Sequence, residues 1–186
     1  MSTKPRVFTV TAGHGGNDPG AVATHNGVLY KEADMMTNLR HILAVKLRQL
    51  GHTVREDGTN PLLNLPLAHA LLLVPGSCLS LELHTNSFTN PSATGVEVVS
   101  LPNRKEISQR VASAIATTLD LPLRGDKGWI DQTKTARGRL GFVRAGGLVV
   151  ETFFISNPRD VTAYESKKWL VASAVAKVLD EFAASK

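Results

Sequence analysis

Cysteine is almost absent from this chain, and its one example, Cys78, cannot form an intrachain disulfide. Long hydrophobic runs are missing too, whereas a membrane-spanning helix needs about 20 apolar residues in succession. Apolar residues make up 42% and charged residues 20% of the 186, a composition that excludes disordered and collagen-like chains. We therefore expect one globular domain over residues 1–186, without a membrane span or a disulfide framework.

We expect no secretory signal, because the basic N-terminus is not followed by an apolar stretch of about 7–15 residues. We expect synthesis in the cytoplasm without Sec-type export.

The net charge of +5 is confined to one part of the chain. Residues 104–144 carry nine basic and four acidic side chains, whereas the two charge signs balance in residues 1–103 and again in residues 145–186. A basic segment attracts polyanions, and an anionic cell wall is one of them. No nucleic-acid-binding motif accompanies it, so we expect no nucleic acid partner. An ordinary solvated face is the alternative.

Strand and helix patterns alternate along the chain. We predict strands over residues 6–11, 52–56, 77–84, 95–101, 140–144 and 148–153. Helices are predicted over residues 32–50, 64–74, 104–119 and 157–182, and loops over residues 12–30 and 121–139. This order predicts an α/β fold: an open, twisted, mostly parallel sheet with helices on both faces. Ligands of such sheets bind at the carboxyl ends of the strands.

Four polar residues occupy notable places in this pattern. His14 follows the first strand within a glycine-rich loop, Glu32 begins the first helix, and His84 ends a strand. Glu151 lies in an apolar strand, where an ionisable group is costly unless it is paired or used. Two imidazoles and one carboxylate are the ligand set of a catalytic zinc ion, and a further carboxylate can move protons. Taken singly, a histidine beside glycines is usually a turn residue, and a glutamate at a helix start suits the helix dipole.

Several motifs in series resemble the amidase-3 family of zinc-dependent N-acetylmuramoyl-L-alanine amidases. The quoted matches are Gly13-His14-Gly15-Gly16-Asn17-Asp18-Pro19-Gly20-Ala21, Glu32, His84-Thr85-Asn86-Ser87, Gly95-Val96-Glu97-Val98, Arg124-Gly125 and the segment 151–157. The resemblance implies that His14, Glu32 and His84 bind Zn²⁺ and that Glu151 is the catalytic acid–base residue. It also implies the substrate, which is the peptidoglycan amide between N-acetylmuramic acid and L-alanine, cleaved by zinc-activated water.

Two departures from the family pattern concern the site. Glu82 stands where the family tends to have Ser, on the same strand face as His84. It either orients a metal ligand or lies in solvent at an edge, and we favour solvent. Residues 61–75 lack the family's usual Arg and Ala-Asn pair, so the match is weakest there.

Two other functions compete with the amidase. A zinc carboxypeptidase acting on stem peptides would use an arginine for the terminal carboxylate, and a non-catalytic wall-binding module would retain only the fold. As to biology, we predict a monomeric phage endolysin that acts on the cell wall after release from the host cytoplasm, and an exported bacterial effector is the alternative.

Overall fold

The computed structural model describes residues 5–58, 63–135 and 138–185, and six strands of these residues form one sheet. The strands of the described part are β1 (Val7–Ala12), β2 (Val22–His25), β3 (Val28–Lys31), β4 (Thr53–Glu56), β5 (Leu79–Asn86), β6 (Glu97–Ser100), β7 (Trp129–Asp131) and β8 (Leu148–Phe154). Its α-helices are α1 (Glu32–Gln49), α2 (Leu67–Leu73), α3 (Lys105–Leu119), α4 (Gly141–Arg144) and α5 (Pro158–Ala184). Short 3₁₀ turns precede α3 and follow β7.

The order of strands in the sheet is β4-β1-β5-β8-β6-β7. Neighbours are parallel except β6 and β8, which run antiparallel. Strands β2 and β3 pair separately as an antiparallel hairpin. The mostly parallel α/β sheet is therefore confirmed.

Helices cover both faces of the sheet, but unequally. The long helices α1, α3 and α5 pack on one face around the main core, to which alternate strand residues such as Leu81, Leu83 and Val150 contribute. The short helices α2 and α4 cover the other face around a small cluster that includes Val149. Side chains of a strand alternate between faces, so Glu82, His84 and Glu151 belong to the thinly covered face. That face leaves room for a site.

Three predictions about the elements are wrong. Residues 140–144 were predicted as a strand but contain helix α4. The prediction failed because so short an apolar run fits the periodicity of a helix as well as that of a strand. The predicted loop 12–30 contains β2 and part of β3. Most side chains of these strands are exposed, so their sequences do not show the alternation of apolar and polar residues that predicts a strand. The predicted loop 121–139 contains β7, a strand of three residues.

The last helix begins as predicted. The Asn157 side chain accepts a hydrogen bond from the backbone N–H of Arg159 at 2.9 Å, and Pro158 follows it in the first helical turn. An asparagine cap with a proline behind it is a favourable helix start.

Candidate active site

Three adjacent strands bring the candidate side chains to one edge of the sheet. His14 follows β1, His84 lies near the end of β5, and Glu151 of β8 is the register partner of His84. Glu32 is the first residue of α1. Because β1, β5 and β8 are neighbours and parallel, their carboxyl ends gather residues that are far apart in the sequence. The structure thus places all four predicted residues in one region.

Glu32 stands between the two histidines. Its Oε2 lies 3.4 Å from His14 Nε2, and its Oε1 lies 3.0 Å from His84 Nδ1. The imidazole rings meet edge to face, with centroids 5.3 Å apart. One donor atom from each of these residues lies within 4.8 Å of the others, so the three side chains could hold a metal ion.

Two backbone groups fix the Glu32 carboxylate. Oε2 accepts a hydrogen bond from the N–H of Ala21 at 2.8 Å, and Oε1 accepts one from the N–H of Thr85 at 3.0 Å. Burial opposes ionisation of this carboxyl group, but the hydrogen bonds and the nearby histidines outweigh burial and lower its pKa. Glu32 is therefore an oriented carboxylate with both oxygens turned to the histidines.

Close approach explains two glycines of the first motif. A side chain at Gly13 would collide with the His84 ring, and a Cβ at Gly20 would lie 2.7 Å from Glu32 Oε2. Gly20 also has a φ of +67°, which disfavours other residues. His14 itself adopts a φ of 63°, an uncommon conformation for a residue with a side chain. The loop is thus shaped around the histidines.

A buried network of hydrogen bonds supports this loop. Asn64 donates hydrogen bonds to the backbone oxygens of Ala12, at 2.6 Å, and His14. The Arg40 guanidinium, which is fully buried, donates to Asn64 Oδ1 and to Asp57 Oδ1, both at 2.8 Å. Burial raises the pKa of Asp57 to about 6 even though Arg40 opposes the rise, so the pair is ionic at neutral pH. None of these contacts was predicted from the sequence, and Asn64 belongs to residues 61–75, the stretch that matches the family least. Pro61 and Leu62 of that stretch lie outside the described residues.

Arg40→Met should destabilise the fold strongly, because it leaves the Asp57 carboxylate buried without its guanidinium partner. We expect a loss of about 3–5 kcal/mol in the free energy of unfolding, measured by urea denaturation. Arg48→Met is the matched control on the same helix: Arg48 is 46% exposed and pairs with Glu56, so its loss should cost about 1 kcal/mol or less. Equal losses for the two variants would contradict the role of the buried network.

Negative charge accumulates around His84. Burial lowers the pKa of this imidazole, but hydrogen bonds to Glu32 and Glu82 and the charge of Glu151 raise it to about 10. The carboxylates of Glu32, Glu82 and Glu151 thus favour a positive charge between them, and the protonated imidazole of His84 provides that charge. Two imidazoles among carboxylates are also the donors that a divalent ion such as Zn²⁺ prefers, so the residues fit a metal.

Glu82 does not lie in solvent, and the position that we favoured for it is wrong. Its side chain is 9% exposed, and its Oε2 lies 3.2 Å from His84 Nε2. Its strand is central, with Thr11 of β1 on one side and Val149 of β8 on the other. The sequence around Glu82 alternates leucine with polar residues, a pattern typical of a strand with one exposed face, so it did not indicate this burial.

Glu97 extends the row of polar residues beyond Glu151. The two glutamates are register partners on β6 and β8. Glu97 accepts hydrogen bonds from Asn86 Nδ2 at 3.0 Å and from Arg124 Nε at 2.7 Å. The guanidinium of Arg124 also lies over the ring of Phe154. Glu97, Asn86 and Arg124 all lie in the quoted motifs, but no role at the site was predicted for Glu97 or Asn86, and Arg124 was considered only as part of the basic segment and as an arginine for a carboxypeptidase.

Acidic partners offset part of the basic segment 104–144. Lys105 pairs with Asp126 inside the segment, and Arg110 pairs with Glu181 outside it. Arg124 pairs with Glu97, and Arg137 lies outside the described residues. These pairs reduce the charge that the segment offers to a polyanion, so docking on an anionic wall stays a prediction.

An open α/β sheet with a His–Glu–His cluster and further carboxylates at its carboxyl edge is typical of metal-dependent hydrolases. The chain belongs to the N-acetylmuramoyl-L-alanine amidase family Amidase_3, whose model matches residues 9–181. A search of the curated proteins finds no match. Among the described residues, no helix has both the length and the apolar character needed to cross a membrane.

Solved structures support the assignment. A protein from Neisseria meningitidis that is assigned as an N-acetylmuramoyl-L-alanine amidase is 37% identical, with a TM-score of 0.83 over 94% of this chain and 93% of that one. The N-acetylmuramoyl-L-alanine amidase from Clostridium difficile 630 is 20% identical, with a TM-score of 0.82 over 98% of both chains. The catalytic domain of the CD27L endolysin is 21% identical, with a TM-score of 0.69 over 97% of this chain and 98% of that one. The last two likenesses show the fold alone.

Proposed function

We propose that this amidase hydrolyses the peptidoglycan bond between the lactyl group of N-acetylmuramic acid and L-alanine, with Zn²⁺ as its cofactor. His14, Glu32 and His84 would hold the ion, and Glu151 would be the acid–base residue. One observation carries the proposal: three donor atoms within 4.8 Å of one another stand beside a carboxylate on the neighbouring strand. Family membership supplies the substrate class.

The division of labour follows from the surroundings of each side chain. When bound, the zinc ion would supply a Lewis acid that polarises the scissile carbonyl and makes a water molecule more acidic. Glu32 is 3% exposed and engaged by two backbone N–H groups, which suits a fixed ligand and not a mobile proton carrier. Glu151 is less buried than Glu32, which suits a side chain that must meet substrate and water.

Glu151 would then handle the protons of both halves of the reaction. As a base, its carboxylate accepts a proton from the water that attacks the carbonyl carbon. The C–N bond breaks, and the carboxyl group returns the proton to the departing amino group of L-alanine. The products are the lactyl carboxylic acid and a stem peptide with a free N-terminus, and Glu151 is restored as a carboxylate.

Digestion of purified sacculi should release whole stem peptides that begin with L-alanine. The measurement is mass spectrometry of the soluble fraction, with N-terminal labelling of the released peptides. A carboxypeptidase would release single C-terminal amino acids instead, and a wall-binding module would bind the sacculi and release nothing. Either result would overturn the proposed bond specificity.

The biological setting is a proposal of the same kind. We propose a monomer that serves as a phage endolysin and reaches the wall after release from the cytoplasm. An exported bacterial effector with the same activity is the alternative.

A further inference from the structure

The carboxylates of Glu82 and Glu32 each lie within hydrogen-bond distance of one ring nitrogen of His84. His84 Nδ1 lies 3.0 Å from Glu32 Oε1, and His84 Nε2 lies 3.2 Å from Glu82 Oε2. All three side chains are largely buried, with 12% of His84, 3% of Glu32 and 9% of Glu82 exposed. The orientation of the ring is therefore set by one carboxylate on each side.

A neutral imidazole carries a proton on one nitrogen and a lone pair on the other. A carboxylate accepts hydrogen bonds only, so Glu82 favours a proton on Nε2 and Glu32 favours one on Nδ1. If Glu32 and His84 both hold a zinc ion, the proton on Nδ1 must leave, and Glu82 keeps the remaining proton on Nε2. The lone pair then lies on Nδ1, the nitrogen that faces Glu32 and the metal-binding cluster. We propose that Glu82 is a positioning residue that holds His84 in this tautomer and ring orientation and thereby raises the affinity of the site for zinc. The inference rests on the proposed function, since it assumes that zinc binds there.

The other histidine of the site has a similar but weaker arrangement. His14 Nδ1 lies 2.8 Å from Asp18 Oδ2, and its Nε2 faces Glu32. The Asp18 side chain is 67% exposed, whereas that of Glu82 is 9% exposed. Because water screens an exposed charge more than a buried one, Glu82 should affect zinc binding more than Asp18 does.

The place of Glu82 in the sheet supports a positioning role. A buried carboxylate is costly unless it is paired, and His84 is the partner that the structure gives it. The Glu82 carboxylate faces Nε2, on the side of the ring away from Glu32. Because the Glu82 carboxylate is engaged with the imidazole, Glu151 is the better candidate for proton transfer to substrate.

The test compares zinc affinity in Glu82→Gln, Glu82→Met and the wild type, by competition with a chromophoric chelator. Replacing the residue that hydrogen-bonds to the second nitrogen of a metal-binding histidine typically lowers metal affinity about 10–100-fold. We expect Glu82→Gln, which keeps an acceptor of the same shape but loses the charge, to raise the zinc dissociation constant about 10-fold. Glu82→Met, which also loses the acceptor, should raise it towards about 100-fold. Asp18→Asn should have a smaller effect, and Glu165→Gln on α5 controls for the loss of one exposed charge.

A second measurement reports on the ring itself. In the zinc-loaded wild type, NMR of ¹⁵N-labelled histidine should show a protonated Nε2 on His84 with a strongly downfield proton. That proton should move upfield in Glu82→Gln and be lost to exchange in Glu82→Met, which a merely structural defect would not cause. Should Glu82→Met fail to fold, Glu82→Gln still decides.

The outcomes separate the two proposals. If the wild type binds zinc and both Glu82 variants keep its dissociation constant and its His84 proton signal, the positioning role is wrong and the proposed function stands. If the folded wild type binds no zinc, the proposed function fails, and this inference fails with it.

Discussion

Glu151→Gln should lower turnover on sacculi by a factor of about 10² to 10⁴, the usual worth of a positioned acid–base group. The amide keeps the size and polarity of the carboxyl group but cannot accept the proton of the attacking water. Zinc content and the free energy of unfolding should stay near the wild-type values, because the proposed ligands Glu32, His14 and His84 do not include Glu151. Release of dye from labelled sacculi measures the rate, and elemental analysis measures the metal.

Glu82→Gln is the matched control for this prediction. If Glu82 were the proton carrier, this variant would lose turnover at any zinc concentration, and Glu151→Gln would remain active. We expect the reverse: saturating zinc should restore most of the activity of Glu82→Gln, because its defect is in metal affinity, and should not restore Glu151→Gln. Wild-type turnover with normal zinc content in Glu151→Gln would overturn the assignment of the acid–base residue.

Removal of the metal should abolish hydrolysis altogether. We expect activity to fall to background after exhaustive chelation and to return when about one equivalent of zinc is added. The His84→Ala variant should bind zinc at least about 100-fold more weakly, since a direct ligand is worth more than an outer partner. Glu32→Gln should also lose both zinc and activity, in contrast to Glu151→Gln.

His69→Ala is the control for the histidine variant, because His69 lies exposed on α2 outside the cluster. Its zinc content and turnover should equal those of the wild type. Full activity in protein shown by elemental analysis to be metal-free would rule out the zinc mechanism and leave the fold assignment intact.

Local patterns predicted the long elements well. Helix α1 was predicted over residues 32–50 and spans Glu32–Gln49, and α3 was predicted over residues 104–119 and spans Lys105–Leu119. Both helices have a stripe of apolar side chains that faces the main core, and such a stripe is visible in the sequence. Helix α4 and strand β7 were missed because three or four residues are too few to show a period.

The candidate site was also predicted only in part from the sequence. His14, Glu32, His84 and Glu151 were identifiable because each stands at a point where its residue type is unusual, such as a carboxylate in an apolar strand. The motifs also indicated the family. Glu82 was misjudged because its burial depends on the neighbouring strands β1 and β8. Asn64 was missed because its partners lie in the distant loop before α1.

By itself, the sequence determined the α/β class, the long helices and the long strands, the family and the four candidate residues, because these depend on residue type and local period. The tertiary structure decided which side chains meet. Only the adjacency of β1, β5 and β8 brings His14, His84 and Glu151 to one edge, and strand order is not encoded in any local pattern. The burial of Glu82 was decided in the same way, because a strand's alternation does not reveal whether the strand is central or at an edge.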